Sequence, residues 1–337
     1  MGKNALVIGG SGQLGVAATS RLVRAGWDVT VAHRGETSEA LSGETRTIRL
    51  DHADTGALLA AARGRDLVLD TAAFDADNAT QLAGLAGDVG SLVVISTGML
   101  YAHPPDAWPL AEDAPVIPGA GMSYPAAKAR LERALFRVQD LPVSILRPGA
   151  IHGPHTTELR EWFFIKRVFD GRSSVLLADD GGHPLSTSAA ANVAQLVLLC
   201  AQQPGRRVLN AADDTAHSPA DIGRAIFALM QHDAEVRTFS GPPVRGIGAS
   251  PWDHWQSGVL SMSAAREQLG YRPAATYLES LADDIRWTTD AVTAAQERGE
   301  TWRQVFPHTA ARRGERDWFR YAEEDAFTQR DRVGYTP

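Results

Sequence analysis

The sequence predicts a doubly wound α/β protein built on a parallel sheet, with a smaller and mostly C-terminal lobe. Three observations predict it. Short apolar runs alternate with amphipathic segments through the first half; runs such as LVVIS and ALVI are almost continuously apolar; and a glycine-rich turn follows the first of them. Strands covered on both faces read as unbroken apolar runs, and β/α alternation implies right-handed crossovers.

The strands are expected at Ala5–Ile8, Val29–Ala32, Thr47–Leu50, Leu67–Asp70, Leu92–Ser96 and Val143–Arg147. Leu14–Ala25 and Ala126–Val138 are long enough to cross the sheet as helices. After Arg147 the rhythm loosens: RPGAIHGPH reads as a loop, Leu159–Asp170 as a helix and DDGGHP as a turn. Ser188–Gln202 is again helical, Val208–Asn210 is a short strand, and Leu278–Arg298 is a helix. Residues 1–150, rejoined by 186–212, form the sheet domain; residues 151–185 and 213–337 form the lobe and C-terminal helices. There is no internal repeat and no low-complexity segment.

With 44% hydrophobic and 22% charged positions, the 337 residues have the composition of a packed globular protein. A formal net charge of −7 weighs against nucleic acid and acidic membranes as partners, because binding by counterion release needs a basic face. Cys200 is the single cysteine, so no intramolecular disulfide can form and a reducing cytoplasm is the natural setting. Its context, AQLVLLCAQ, marks it as a small core residue. No apolar run reaches the ~18 residues of a membrane span, and the N-terminus lacks a signal-peptide cleavage pattern. Of 33 basic residues only Lys3, Lys128 and Lys166 are lysine, so each lysine stands out.

The turn VIGGSGQLG leaves the first strand and enters the first helix, the setting a dinucleotide fingerprint requires. Gly9 permits the tight turn, Gly12 lets the backbone approach a pyrophosphate, and Gly15 lets helix and strand pack closely. Gln13 and Leu14 open the helix, whose free N–H groups and positive dipole end face the phosphates. The fold class is therefore of the Rossmann type. The second strand ends in VTVAHRGE, with His33 and Arg34 where NAD sites usually carry an acidic residue. An arginine there can pair with a 2′-phosphate in bidentate fashion, which favours NADP while leaving NAD open; Arg34 stacked on adenine or simply solvated is the other reading. Asp51, ending the third strand in LDHAD, could accept from the adenine amino group.

MSYPAAKARLERAL places Tyr124 and Lys128 four apart at a helix start, hence on one face. Pro125 suits the first helical turn. A phenol with a pKa of about 10 holds its proton at neutral pH. A nearby ammonium favours the phenolate and brings the group into working range, so the spacing predicts a lowered tyrosine pKa.

Together, VIGGSGQLG, STGMLY, YPAAK and LRPGAIHGP resemble the short-chain dehydrogenase/reductase family, in its extended, epimerase/dehydratase-like branch. The similarity covers residues 4–210 in order and spacing. It implies that Thr97 completes a catalytic set with Tyr124 and Lys128, its hydroxyl bonding the substrate oxygen; Ser96 takes that place if the register is one off. It also implies that Lys128 contacts the nicotinamide ribose, that Ala72 lines the cofactor site and that Pro148-Gly149 lies beside the nicotinamide. Three positions depart from the branch. Ile8 replaces a threonine before the glycines, His183 stands where nucleotide-sugar enzymes carry an arginine, and Asn192 stands where they carry an aspartate.

His152 and His155 in IHGPH lack a third metal ligand of the usual kind, so no metal is expected; His152 is retained as a substrate contact. Trp252, His254 and Trp255 form either an aromatic wall over the substrate or lobe core. The tail ARRGERDWFRYAEEDAF reads as a solvated face docked by Trp318, Phe319 and Tyr321, with room for a homodimer contact. The expected function is an NADP-dependent oxidoreductase acting on a carbonyl or hydroxyl of a small metabolite, with Tyr124 as acid/base. The alternatives are a redox-neutral epimerase or dehydratase with bound NAD(P), and a non-catalytic NADP-binding sensor.

Overall fold

Unbroken apolar runs with alternate residues facing opposite layers build a parallel sheet. The structure, a computed structural model, describes residues 2–35, 45–105, 107–253, 258–313 and 318–334. In chain order its first elements are β1 (Asn4–Ile8), α1 (Gln13–Arg24), β2 (Asp28–His33), β3 (Arg46–Arg49), α2 (Thr55–Ala62) and β4 (Leu67–Asp70). Next come α3 (Ala76–Ala83), β5 (Leu92–Ile95), α4 (Tyr124–Leu135), β6 (Val143–Pro148), β7 (Ala150–His152), α5 (Trp162–Phe169) and β8 (Ser174–Leu177). They are followed by β9 (Leu185–Ala189), α6 (Ala190–Gln202), β10 (Arg207–Ala211), β11 (Ala216–His217), α7 (Pro219–Leu229) and β12 (Glu235–Thr238). The chain ends with α8 (Ser263–Leu269), α9 (Tyr277–Glu297), α10 (Trp302–Val305), α11 (Pro307–Arg313) and α12 (Tyr321–Gly334).

Two units form. The first comprises Met1–His155, Ser186–Thr215 and Gln256–Tyr277; the second comprises Thr156–Leu185, Ala216–Trp255 and Leu278–Pro337. In the first, seven parallel strands take the order β10-β6-β5-β4-β1-β2-β3, the doubly wound arrangement the sequence predicts. Alternation along the strands divides the core. Val7, Val31, Leu69, Val93 and Leu146 face Val16, Leu22, Val197 and Cys200 of α1 and α6. Leu6, Ile8, Val68, Val94 and Ile145 face Leu58, Leu82, Leu131 and Leu135 of α2, α3 and α4. Each fully buried leucine or valine contributes roughly 1.5–3 kcal/mol. The order reverses between β1 and β4, and ligands of such sheets bind outside the carboxyl ends at that point.

Two local expectations are corrected. RPGAIHGPH is not wholly loop: Ala150–His152 is strand β7, paired in parallel with β9 from Ala150↔Thr187 to His152↔Ala189. Ser188 and Ala189 accordingly belong to that strand and not to the following helix. Both segments are short, and Gly149 offers no side chain to pack, which hid the pairing.

In the second unit β8 and β12 pair in parallel. Helix α5 buries Trp162, Phe163, Phe164 and Arg167. The Arg167 guanidinium lies 4.0 Å from the Phe163 ring centroid and donates to Glu324 Oε1 of α12 at 2.8 Å. Among the described residues no helix is long and apolar enough to cross a membrane.

Gly15 shows how tightly α1 is set on the sheet. A Cβ there would lie 2.4 Å from Gly10 Cα and 2.5 Å from Gly9 O, both backbone atoms. Gly15→Ala should therefore displace the loop, destabilise the protein by about 1–3 kcal/mol and weaken dinucleotide binding. Thermal unfolding and a dinucleotide titration check both; an unchanged melting temperature would show that the loop yields without cost.

Candidate active site

The glycine loop begins where β1 ends. Gly9 has φ +75°, and a Cβ there would meet Thr71 Oγ1 at 2.3 Å. That hydroxyl donates to the carbonyl of Ile8 at 3.0 Å and closes the turn against the end of β4. Gly12 is the N-cap of α1 and has no side-chain cap. A Cβ at Gly12 would meet only Gly9 O, at 3.4 Å, so its packing inside the protein does not demand glycine. The bare backbone leaves open the approach to the first N–H groups of α1, where there is no acidic residue in the first turn. An anion fits such a cradle. Gln13 Nε2 donates to Gly153 O at 2.7 Å, tying the loop to the end of β7, while Leu14 is half-buried.

Beyond the next strands lie the other expected cofactor positions. His33 ends β2 half-buried, and Arg34 follows it, exposed. Asp51 is exposed, and its Oδ1 accepts from Ala53 N at 3.0 Å. Ala72 is exposed just past β4, in a turn ordered by fully buried Asp70, whose Oδ1 accepts from Ala72 N and Ala73 N, each at 2.8 Å. Asp70 Oδ2 lies 2.8 Å from His52 Nε2, and that bond raises the imidazole pKa. Pro148 ends β6 in the core, and the adjacent Gly149 N donates to Ser188 Oγ at 2.8 Å. A Cβ at Gly149 would fall 2.2 Å from Ser186 O.

Thr97, Tyr124 and Lys128 come together at the carboxyl end of β5. Thr97 follows β5 as the buried N-cap of a short 3-10 turn over Gly98–Leu100, accepting from Met99 N at 3.2 Å. Ser123 caps α4, Pro125 sits in its first turn, and Tyr124 and Lys128 share one face. The Thr97 hydroxyl is near enough to the Tyr124 phenol to draw its pKa down. Lys128 Nζ lies 5.8 Å from the Tyr124 ring centroid and donates to Ala73 O at 2.6 Å and Ile95 O at 2.8 Å.

The electrostatics differ from the expectation drawn from spacing. Burial pushes the Tyr124 pKa up and outweighs the lowering influence of the Thr97 side chain, although 42% of the residue's surface is exposed. Burial also draws Lys128 down to about 8, against the raising influence of Asp70 and Glu132. The ammonium is engaged by two backbone carbonyls and makes no bond to the phenol, so the phenol stays protonated.

Ser96 does not face the same way as Thr97. It is buried and its Oγ donates to Glu132 Oε1 at 2.5 Å. Glu132 in turn receives Arg147 Nη2 at 2.6 Å, with Arg147 Nε at 3.1 and 3.2 Å from its two oxygens. Arg147 Nη1 reaches Tyr101 OH and Glu112 O, each at 3.0 Å. Tyr101 donates to Asn210 Oδ1 at 2.6 Å, and burial pushes its phenol up to about 12. Burial pulls the Arg147 pKa down, but the bonds and charge of Glu132 raise it further, so the guanidinium stays charged.

His152 is fully buried, with Nε2 2.7 Å from Asp213 Oδ2 and its ring 5.3 Å from that of Tyr277. Asp213 also accepts from Thr187 Oγ1 at 2.8 Å, Ala189 N at 2.9 Å and Asn192 Nδ2 at 2.9 Å. Asn192 Oδ1 accepts from Ala274 N and Ala275 N, so its amide joins structural segments of the first unit. His183 is exposed in the second unit. Trp252, in that unit, is buried and stacked on Phe164 at 5.9 Å and 23°. Of the two readings of this tryptophan, its surroundings are those of lobe core. His254 and Trp255 lie outside the described residues.

A glycine loop on a helix N-terminus, at the switch point of a doubly wound sheet and beside a Thr–Tyr–Lys cluster, defines a dinucleotide-binding α/β protein. The chain belongs to the NAD(P)H-binding family, whose model it matches over residues 9–204. Its fold is that of solved epimerases and dehydratases, in line with the resemblance drawn from the sequence motifs. No curated protein is significantly similar to it in sequence. Among solved structures, it resembles UDP-glucose 4-epimerase of Thermotoga maritima, bound to UDP-glucose, with 19% identity and TM-score 0.69, covering 85% of this chain and 99% of that one. The UDP-glucose 4-epimerase of Stenotrophomonas maltophila, with NAD and formylated UDP-arabinopyranose, has 20% identity and TM-score 0.71, covering 88% and 99%. The dTDP-glucose 4,6-dehydratase of Bacillus anthracis, with NAD, has 15% identity and TM-score 0.70, covering 86% and 97%.

The sequence reading missed Glu132, Arg147, Asp70 and Asp213. Glu132 carried a signal, since it extends the four-residue spacing of Tyr124 and Lys128 by one more step. Asp70 carried another, as the one acidic residue closing the apolar run LVLD. Two outcomes follow. Glu132→Ala leaves Arg147 buried without its carboxylate and should cost about 3–5 kcal/mol in urea unfolding; a loss within experimental error would mean the guanidinium finds water or another partner. Asp213 supplies an acid limb: burial raises its pKa, but the His152, Ala189 and Thr187 bonds hold it at about 2, below its unfolded 3.8. Its contribution is present above the unfolded value and is lost as pH falls through about 2, roughly 2 kcal/mol in all. Asp213→Asn should flatten that limb in unfolding midpoints measured across the acid range.

Proposed function

We propose that the protein is an NADP-dependent oxidoreductase that reduces a carbonyl, or oxidises the corresponding hydroxyl, of a small metabolite. The observation that carries this reading is the grouping of Tyr124 and Lys128 on one face of α4, with Lys128 Nζ 5.8 Å from the Tyr124 ring centroid and the Thr97 hydroxyl near the phenol. The dinucleotide, when bound, supplies or takes the hydride. Gly9, Gly12, Gln13, Leu14 and Gly15 would hold its pyrophosphate, with Ala72 and Pro148 along its path, Asp51 near the adenine, and His33 and Arg34 at the ribose end. Lys128 would reach the nicotinamide ribose from its carbonyl cradle.

In the reducing direction Thr97 orients the substrate oxygen and Tyr124 gives it the proton from Oη. A phenol whose pKa is raised by burial is in the correct form for an acid at neutral pH. Lys128, drawn to about 8, lies closer to neutrality than a solvated lysine, and its positive charge beside the ring favours the phenolate left after proton transfer. Arg34 supports NADP over NAD through charge-assisted pairing with the 2′-phosphate.

A second reading, a redox-neutral epimerase or dehydratase, is favoured by the similar solved structures, which are enzymes of those kinds. The positions of Asn192 and His183 weigh against a nucleotide-sugar substrate. Tyr124→Phe should retain dinucleotide affinity and lose nearly all turnover; a variant as active as the parent would remove Tyr124 from the chemistry. Dinucleotide retained through purification, with no net change in nicotinamide absorbance on turnover, would favour the redox-neutral reading.

A further inference from the structure

We propose that Arg49 is a second anchor for the 2′-phosphate of the dinucleotide, acting as a fork beside Arg34. The proposal rests on the NADP reading above and extends it to a residue on a different strand.

Register brings the two arginines together. In the β2–β3 ladder Arg49 stands directly opposite His33, the residue before Arg34. Both side chains therefore belong to the carboxyl edge of the sheet, the edge on which the glycine loop lies. Arg49 Nε donates to the backbone carbonyl of Arg34 at 3.2 Å, which fixes the guanidinium alongside residue 34. Its Nη groups donate to no described residue, and neither Arg34 nor Arg49 forms an ion pair among the described residues. Arg46, three residues earlier on β3, provides the contrast, for it pairs with Asp28 at 3.0 Å.

Among the described residues, Asp51, Asp54 and Asp70 are engaged elsewhere. Asp51 accepts from Ala53 N, Asp54 caps α2 through Ala57 N, and Asp70 is bonded to His52. His33 adds a further polar group, since its Nδ1 is buried and has no hydrogen-bond partner. Two exposed arginines at adjacent strand ends, neither ion-paired among the described residues, bring like charges to one edge, and an anion bound there offsets their repulsion. A phosphate monoester has three terminal oxygens, more acceptor capacity than one guanidinium fills, and two forks from adjacent strands match it. The anion that dinucleotide binding brings to this edge is the 2′-phosphate.

The test is calorimetric titration of the full chain and of Arg49→Ala, Arg49→Lys and Arg34→Ala with NADP+, NAD+, 2′,5′-ADP and 5′-AMP. Arg49→Ala should weaken NADP+ and 2′,5′-ADP about tenfold and leave NAD+ and 5′-AMP within about twofold. Arg49→Lys, which keeps charge and loses the fork, should fall between. Arg49 is exposed, so an unchanged melting temperature is expected and separates binding from folding. Equal losses for NADP+ and NAD+, or unaltered NADP+ affinity in Arg49→Ala while Arg34→Ala loses it, would overturn the role of Arg49 and leave the NADP reading standing. A parent protein that binds NAD+ as tightly as NADP+ would overturn that reading itself.

Discussion

The Glu132 carboxylate and the Arg147 guanidinium are buried against each other between α4 and β6, at 2.6 Å. Desolvating both charges is expensive, and an apolar pair of similar volume could be as stable. What the pair adds is placement. Glu132 lies on α4 four residues beyond Lys128 and eight beyond Tyr124, so a fixed Glu132 fixes the rotation and height of the helix. Ser96 joins the same carboxylate to the end of β5, one residue before Thr97. Arg147 continues to Tyr101, and Tyr101 to Asn210 on β10. Four elements that could slide on an apolar core are held in one arrangement by a closed set of polar bonds, and the phenol meets Thr97 because of it.

The same burial sets the protonation of the cluster. Desolvation disfavours the charged form of each group, so it moves Tyr124 and Lys128 in opposite directions. The phenol becomes harder to ionise and the ammonium easier to discharge. Nearly equal in water, their affinities for a proton are driven apart, so that Tyr124 holds its proton more tightly than Lys128 does.

The sheet was legible because burial on both faces leaves its mark on every strand residue, and the glycine loop because backbone geometry forces residue type at Gly9 and Gly15. Tyr124 and Lys128 were legible because a helix turns spacing into proximity. The pairing of β7 with β9 was not, since three-residue strands carry too little periodicity. Nor were the partners of His152 or Arg147: Asp213 and Glu132 are 61 and 15 residues away, and pairings across such distances depend on the packing of whole elements. The direction of the tyrosine shift was misjudged for a related reason. Spacing along α4 says that Lys128 is near, but the carbonyls of Ala73 and Ile95 that engage it come from other strands' ends.

Those two carbonyls have a consequence for how the site tolerates change. Because Lys128 is held by main chain, replacing the side chains of Ala73 or Ile95 leaves its acceptors in place. Sensitivity passes instead to whatever shapes the main chain there. At residue 73 that is Asp70, whose carboxylate receives the N–H groups of Ala72 and Ala73 and is itself steadied by His52. Asp70 thus holds Lys128 at one remove, and variation in this protein's lineage should be freer at the residues around the lysine than at the buried aspartate beneath them.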